Sequence, residues 1–377
     1  MTTFSEKYGF WFCNGFTFAS KTQALVYASK VKKPVRLVYH DPVWRSFNRS
    51  LLGRHTLDYL YKLRAQQLRD KYDYLILHYS GGADSNNVLE TFIKNNIKLD
   101  EVCVLWPKAL VDGKFYMPNI NDRTAYNSWS EWNFAVKPSL EKLKQTNPEI
   151  KITVQEFLED HNKIKIEPLF DKLRYYRPGV VMYNYATILH AQQSAHHNKG
   201  RVGRIYGIDK PLLAEWNNGV YMFFNDVPLS IIHESEADPE NAEAFYWSPD
   251  LPELAFEMAY KTSQYYFNNP DMRKFLWGNK ANIDTKVRIQ MQNDIVKRIC
   301  YTTWDYRFQA DKPTNVAKKD KWFWFFSNPD LAKLIDTYTS EIKNRMAGIS
   351  DEFLDIESPD TFGVKTTITD LFFVRSL

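Results

Sequence analysis

Residues 77–87 read Leu-His-Tyr-Ser-Gly-Gly-Ala-Asp-Ser-Asn-Asn (LHYSGGADSNN): two glycines, an acid and two serines directly behind an apolar run. The run itself, Tyr72 to Tyr79, predicts a buried strand, and Val88, Leu89, Phe92 and Ile93 form the apolar stripe of a following helix. The stretch is therefore a strand-to-helix turn. Glycines let an anion approach the main chain closely. A helix opening at Asp84 or Ser85 adds orphan N–H groups and the positive end of its dipole to the same space. Such a turn is shaped for phosphate.

Working outward, His55 to Asp70 carries Leu57, Leu60, Tyr61, Leu63 and Leu68 at helical spacing, which predicts an amphipathic helix before the strand. Further strands are expected at Glu101–Trp106, Lys151–Val154 and Gly203–Gly207, with a helix over residues 180–198. This alternation predicts an α/β fold with a doubly wound parallel sheet. Upstream, Phe10–Phe12, Lys21–Lys30 and Val35–Tyr39 read as a small N-terminal α/β module, residues 1–54. Beyond Asp209, Leu212–Trp216 and Val220–Phe224 flank Asn217-Asn218-Gly219, a hairpin turn whose residues tolerate positive φ. That hairpin is expected as an appendage of a central domain, residues 55–235. The acidic stretch Glu234–Glu243 reads as a boundary. Amphipathic runs at 251–267, 285–301 and 329–346 then predict a mainly helical C-terminal domain, residues 236–377.

Neither Gly-x-x-x-x-Gly-Lys-Ser/Thr nor Gly-x-Gly-x-x-Gly occurs in the chain, which removes support for kinase-like and dinucleotide-fold readings. What does occur, Ser80-Gly81-Gly82-Ala83-Asp84-Ser85, resembles the Ser-Gly-Gly-x-Asp-Ser loop of the PP-loop ATP pyrophosphatase superfamily. Five fixed positions match by chance at a frequency of about 10⁻⁶ per position. The resemblance implies a sheet of the HUP/PP-loop type with ATP and Mg²⁺ as cofactors. It implies that Ser80, Gly81, Gly82, Ala83 and Ser85 cradle the β- and γ-phosphates, while Asp84 serves both catalysis and the metal. A second segment, Ile205-Tyr206-Gly207-Ile208-Asp209-Lys210-Pro211, resembles the superfamily's other phosphate-side element. There Asp209 would complete the metal site and Lys210 would neutralise phosphate charge; a plain turn with a surface lysine is the alternative.

Two weaker resemblances add residues. Tyr176-Arg177-Pro178-Gly179, before a helix containing Asn184, is similar to a segment of the 7-cyano-7-deazaguanine synthases, so Arg177 touches phosphate or a substrate carboxylate, or simply enters a helix. Backbone groups at His78, Tyr79, Leu105 and Trp106 occupy the positions that hold adenine in the superfamily, although the side chains also suit a core. Asparagine synthetases carry an N-terminal glutaminase opened by a cysteine after Met1; Thr2 stands there, so this chain is not expected to make its own ammonia from glutamine.

Cys13, Cys103 and Cys300 are isolated, which argues against disulfides, thiolate zinc and paired-cysteine sulfur transfer, and suggests buried, inert thiols. His190, His196 and His197 diverge around one helix and lack a further ligand. Lys318 to Phe326 mixes charge with rings, as a nucleic-acid contact does, but also as a solvated turn before a core element does. With 49 basic against 45 acidic residues the net charge of +4 does not indicate a polyanion partner. No apolar run is long enough to span a membrane, and a cytoplasmic location is expected.

The functional expectation is an AMP-forming ligase. It adenylates a carboxylate or carbonyl oxygen of a small molecule or nucleobase, releases pyrophosphate, and lets ammonia or an amine attack. The alternatives are a tRNA- or DNA-modifying or sulfur-transferring enzyme of the same superfamily, and a nucleotide-binding protein without turnover. Composition leaves the oligomeric state open.

Overall fold

The computed structural model describes residues 9–105, 132–155, 200–208, 210–226, 241–275, 285–302, 348–353 and 365–377. Its centre is a five-stranded, all-parallel sheet built from β4 (Tyr74–His78), β5 (Glu101–Leu105), β6 (Lys151–Gln155), β7 (Val202–Tyr206) and β10 (Ala242–Ala244). Their spatial order is β10-β7-β4-β5-β6. The chain thus runs outward from β4 in one direction and, after β6, returns to β4's other side. This order is compatible with a doubly wound sheet, and its reversal lies between β4 and β7, where such sheets open a crevice at the carboxyl ends of the strands.

The local sequence explains the flanking helices. α3 (Leu57–Lys71) starts at Thr56, whose hydroxyl accepts a hydrogen bond from the Tyr59 amide at 3.2 Å. Asp58 lies in its first turn and Arg69 and Lys71 in its last, matching the helix dipole. Leu57, Leu60, Tyr61, Arg64, Ala65 and Leu68 form its buried stripe. α4 (Ala83–Lys94) buries Val88, Leu89 and Phe92 in the same way, and α5 (Lys137–Thr146) buries Leu140 and Leu143.

Two small antiparallel sheets flank the centre. β1 (Phe10–Cys13), β2 (Phe16–Phe18) and β3 (Arg36–Val38) form one, with α1 (Lys21–Val31) between β2 and β3 and α2 (Asp41–Ser46) after it. The other joins the expected hairpin, β8 (Leu212–Trp216) and β9 (Gly219–Phe223), to a strand from the far end of the chain, β11 (Phe372–Ser376). Asn217 and Asn218 both adopt left-handed φ, +46° and +57°, as a tight two-residue hairpin loop requires. β9 is therefore the middle strand of a three-stranded sheet, and the hairpin is not a free appendage.

The acidic stretch read as a boundary ends inside the central sheet. β10 is its edge strand, and Glu243 is buried. The charge that suggested a linker is satisfied internally: Glu243 pairs with Arg64 at 2.9 Å and Lys71 at 2.8 Å and accepts the Tyr72 hydroxyl at 2.6 Å. One continuous cluster of buried side chains runs from Trp11 through Leu77 and Phe256 to Val374, drawing on all three stretches that the sequence divided. Its C-terminal part includes α6 (Pro252–Asn268) and reaches α7 (Thr285–Cys300), matching the two runs expected there, whereas the run at 329–346 and the helix at 180–198 lie outside the described residues. Among the described residues no helix is long and apolar enough to cross a membrane.

The Glu243 network predicts an asymmetry. Arg64 is 1% exposed and Lys71 43%. Glu243→Ala leaves the buried Arg64 charge with only the longer 3.7 Å contact to the more exposed Asp250 and a hydrogen bond to the Ala244 carbonyl; it is expected to lower the unfolding free energy by about 3 kcal/mol, and Lys71→Ala by about 1 kcal/mol or less. Urea denaturation of the two variants and the parent measures both.

Candidate functional site

The glycine turn leaves β4 at the reversal of the sheet. Gly81 sits at φ +71°, and a Cβ there would lie 2.7 Å from Val136 Cγ2, so both conformation and space select glycine. Gly82 is the N-cap of α4, with no side chain of its own to occupy the helix's first amides. Two serines brace the turn. Ser80 Oγ accepts from the Gly82 amide at 3.3 Å, and Ser85 Oγ accepts from the Ser80 amide at 3.3 Å while donating to the Gly82 carbonyl at 3.2 Å. The loop is thus held open by its own side chains, with the first turn of α4 behind it.

The end of β7 meets this turn directly. A Cβ on Gly207 would lie 2.8 Å from the Ser85 nitrogen and 2.9 Å from its Cα. Only a glycine lets the two main chains touch, and the contact delivers Lys210 to α4. Lys210 Nζ donates to Asp84 Oδ1 at 2.5 Å, and Tyr301 donates its hydroxyl to the same oxygen. Lys210 also lies 5.6 Å from the centre of the Tyr301 ring. Its side chain is 8% exposed, that of Asp84 28%. Lys210 is therefore a buried partner of the turn and not a surface residue.

A second tyrosine and a second lysine complete the surroundings. After β10 the chain follows the exit of β7, the Phe245 amide bonding to the Tyr206 carbonyl at 3.0 Å and the Tyr246 amide to that of Ile208 at 3.3 Å. Tyr246 thereby donates to the Asp84 carbonyl at 2.8 Å and accepts from Asn87 Nδ2 at 3.0 Å. Tyr301 follows the last turn of α7, which also brings in Lys297. Burial alone would push the Asp84 carboxyl up. The Lys210 charge, hydrogen bonds from Lys210 and Tyr301, and the more distant Lys297 charge outweigh it and hold the group below the usual carboxylate range.

Of the residues expected from sequence, Ser80, Gly81, Gly82, Ala83, Asp84, Ser85 and Lys210 come together here. Tyr79 stands behind them: it is buried, its amide donates to the Cys103 carbonyl at 2.9 Å, its hydroxyl donates to Asn86 at 3.2 Å, and burial pushes its phenol up to about 12. Through that amide it extends the β4–β5 ladder by one residue. Trp106, Arg177 and Asp209 lie outside the described residues.

Tyr246, Tyr301 and Lys297 were missed. Nothing local marks them, since each follows or ends an element whose place beside the turn is set by long-range packing. Among the described residues no three His, Cys, Asp or Glu side chains gather as a metal centre. Asp84 is nevertheless a hard oxygen donor at a helix N-terminus, and one or two carboxylates with substrate phosphates suffice for Mg²⁺. All three cysteines are buried, and burial raises each thiol, Cys300 to about 12. No family model matches the chain, and no curated protein is significantly similar to it.

Two outcomes follow from this geometry. Gly207→Ala is expected to cost about 1–3 kcal/mol of stability by forcing β7 and α4 apart, as measured by urea denaturation. Because the Asp84 carboxyl is lowered on folding, its contribution is present at neutral pH and is lost as pH falls through the folded-state value. The stability difference between the parent and Asp84→Asn should therefore be largest above about pH 5 and close in more acidic solution. Parallel denaturation curves across that range measure it.

Proposed function

We propose that the chain is an ATP pyrophosphatase-type ligase that adenylates an oxygen of its substrate and then forms a C–N bond. One observation carries the reading: the glycine turn, the first turn of α4 and Lys210 converge at the reversal of a parallel sheet, where the Gly207 main chain touches that of Ser85. Backbone amides and a lysine there suit the β- and γ-phosphates of ATP. Donors fixed in advance at the departing pyrophosphate lower the barrier more than they stabilise bound ATP, because negative charge grows there in the transition state.

In the first step a substrate carboxylate or carbonyl oxygen forms a bond to the α-phosphorus, and the bond from that phosphorus to the bridging oxygen of the β-phosphate breaks. Ammonia or an amine then attacks the activated carbon, loses a proton, and expels AMP. Lys210 has two uses in this sequence. It pairs with Asp84 and would supply positive charge to the phosphates of bound ATP. Asp84, with Asp209, is the residue that would hold Mg²⁺, which supplies charge neutralisation to the triphosphate. Tyr301 and Tyr246 orient Asp84 from its side chain and its carbonyl. The buried, poorly ionised thiols favour nitrogen over sulfur as the second nucleophile.

Protein incubated with α-labelled ATP, Mg²⁺ and candidate acceptors should yield labelled AMP and unlabelled pyrophosphate in equal amounts. Asp84→Asn and Lys210→Met should each reduce that release by about 10²-fold or more while leaving the far-ultraviolet spectrum unchanged. Formation of ADP and phosphate would contradict the assignment.

A further inference from the structure

Both hydrogen bonds to the Asp84 carboxylate fall on one of its two oxygens. Lys210 Nζ and the Tyr301 hydroxyl donate to Oδ1, while Oδ2 accepts none. The two donors are buried, Lys210 at 7% and Tyr301 at 2% exposure, whereas the Asp84 side chain keeps 28%. Oδ1 is therefore turned into the protein, and Oδ2 is the oxygen left for a ligand on the open side of the glycine turn.

The donors differ in how they respond when a nucleotide binds. Lys210 is a flexible amine that phosphate oxygens draw away from a carboxylate, and its charge opposes any cation on that carboxylate. Tyr301 has neither property. A phenol is uncharged at neutral pH, and a tyrosine has only two side-chain torsions to turn. Its main chain is fixed as well. The Tyr301 amide donates to the Lys297 carbonyl at 2.8 Å. On one side of it the Cys300 carbonyl accepts the Tyr61 hydroxyl at 2.6 Å, and on the other the Thr302 hydroxyl donates to Asp58 at 3.0 Å, both partners lying on α3. The Tyr301 ring packs 5.6 Å from that of Tyr246. Tyr301 thus keeps Oδ1 occupied whether or not Lys210 stays.

A carboxylate with one oxygen reserved in this way offers a cation only the other. Mg²⁺ takes single oxygens in a strict octahedron and is held by one or two carboxylates together with substrate phosphates. Ca²⁺ takes roughly six to eight oxygens and readily engages both oxygens of a carboxylate. We propose that Tyr301 is a positioning residue for the metal: by holding Oδ1 it makes Asp84 a one-oxygen ligand and selects Mg²⁺ over Ca²⁺ as the counter-ion of the bound triphosphate. The inference rests on the pyrophosphatase reading of the turn. Tyr301→Phe keeps the ring and frees Oδ1 once Lys210 turns to phosphate, so the carboxylate can close on a cation with both oxygens. Tyr246 supplies the contrast, because its hydroxyl bonds to the Asp84 main-chain carbonyl at 2.8 Å. Tyr246→Phe loosens the same turn without freeing a carboxylate oxygen.

The test is isothermal titration calorimetry of the full chain with α,β-methylene-ATP, which cannot be cleaved at the α-phosphorus, in magnesium chloride, calcium chloride or EDTA. The parent should bind the analogue more tightly with Mg²⁺ than with Ca²⁺, and most weakly in EDTA. Tyr301→Phe should weaken binding with Mg²⁺ by about 10-fold or more, as loss of a hydrogen bond to a metal-holding carboxylate does, and leave binding with Ca²⁺ equal or stronger. Tyr246→Phe should keep the parent's ratio of the two affinities. A parent without preference, or a Tyr301→Phe protein with the parent's ratio, overturns the assignment. So does an equal change of ratio in both variants, which makes Tyr301 a packing residue. Analogue binding without metal preference leaves the pyrophosphatase reading intact, whereas no binding with either metal removes the nucleotide site and this inference with it.

Discussion

Contact between two main chains, at Gly207 and Ser85, governs the geometry of this protein's candidate site. Parallel strands leave a crevice where their order reverses, but a crevice becomes a binding site only if something closes its floor. Here the exit of β7 lies against the first turn of α4 so closely that a single methyl group would intrude. That approach fixes where Lys210 emerges. It also sets a lysine against the N-terminal end of a helix, where an amine is otherwise unfavourable, and the Asp84 carboxylate offsets the conflict.

The same contact depends on charge buried elsewhere. β10 lines β7 because Glu243 finds Arg64, Lys71 and Tyr72 behind the sheet. Once β10 is in place, the following residues run along the exit of β7, and Tyr246 falls within reach of the Asp84 carbonyl. A pair of ions on the far edge of the sheet thereby sets the position of a tyrosine in the site. Buried ion pairs often contribute little net stability, and specifying one arrangement of strands is a more plausible role for this one.

Legibility in the sequence followed the range of the interactions. β4, the turn and α4 are contiguous, and their signals are local: a run of apolar residues, a glycine pair of which Gly81 takes the positive φ the turn uses, and a helical stripe. The hairpin was readable for the same reason, since Asn217 and Asn218 adopt the φ that their residue type tolerates. β10 was not readable. Ala-Glu-Ala lacks the β-branched and aromatic residues of a strand, and its glutamate implies solvent unless Arg64, 179 residues away, is known to meet it. Tyr301 was hidden in the same manner, 217 residues from Asp84 with nothing in its neighbourhood to distinguish it from a core residue beside Cys300.

The division between local and distant contributions has a chemical counterpart. The turn and the start of α4 supply main-chain amides, which recognise phosphate whatever is attached to it, and they come from six consecutive residues. The surrounding side chains come from far apart: Lys210 before the hairpin, Tyr246 after β10, and Tyr301 after α7. A leaving group common to many reactions can be held by a compact motif, because its shape does not vary. An acceptor must be distinguished from its competitors, which requires groups from several directions around the open side of the crevice. The three segments that reach Asp84 are attached to the hairpin sheet, the edge strand and α7, and on the proposed ligase reading these are the groups that would choose the acceptor.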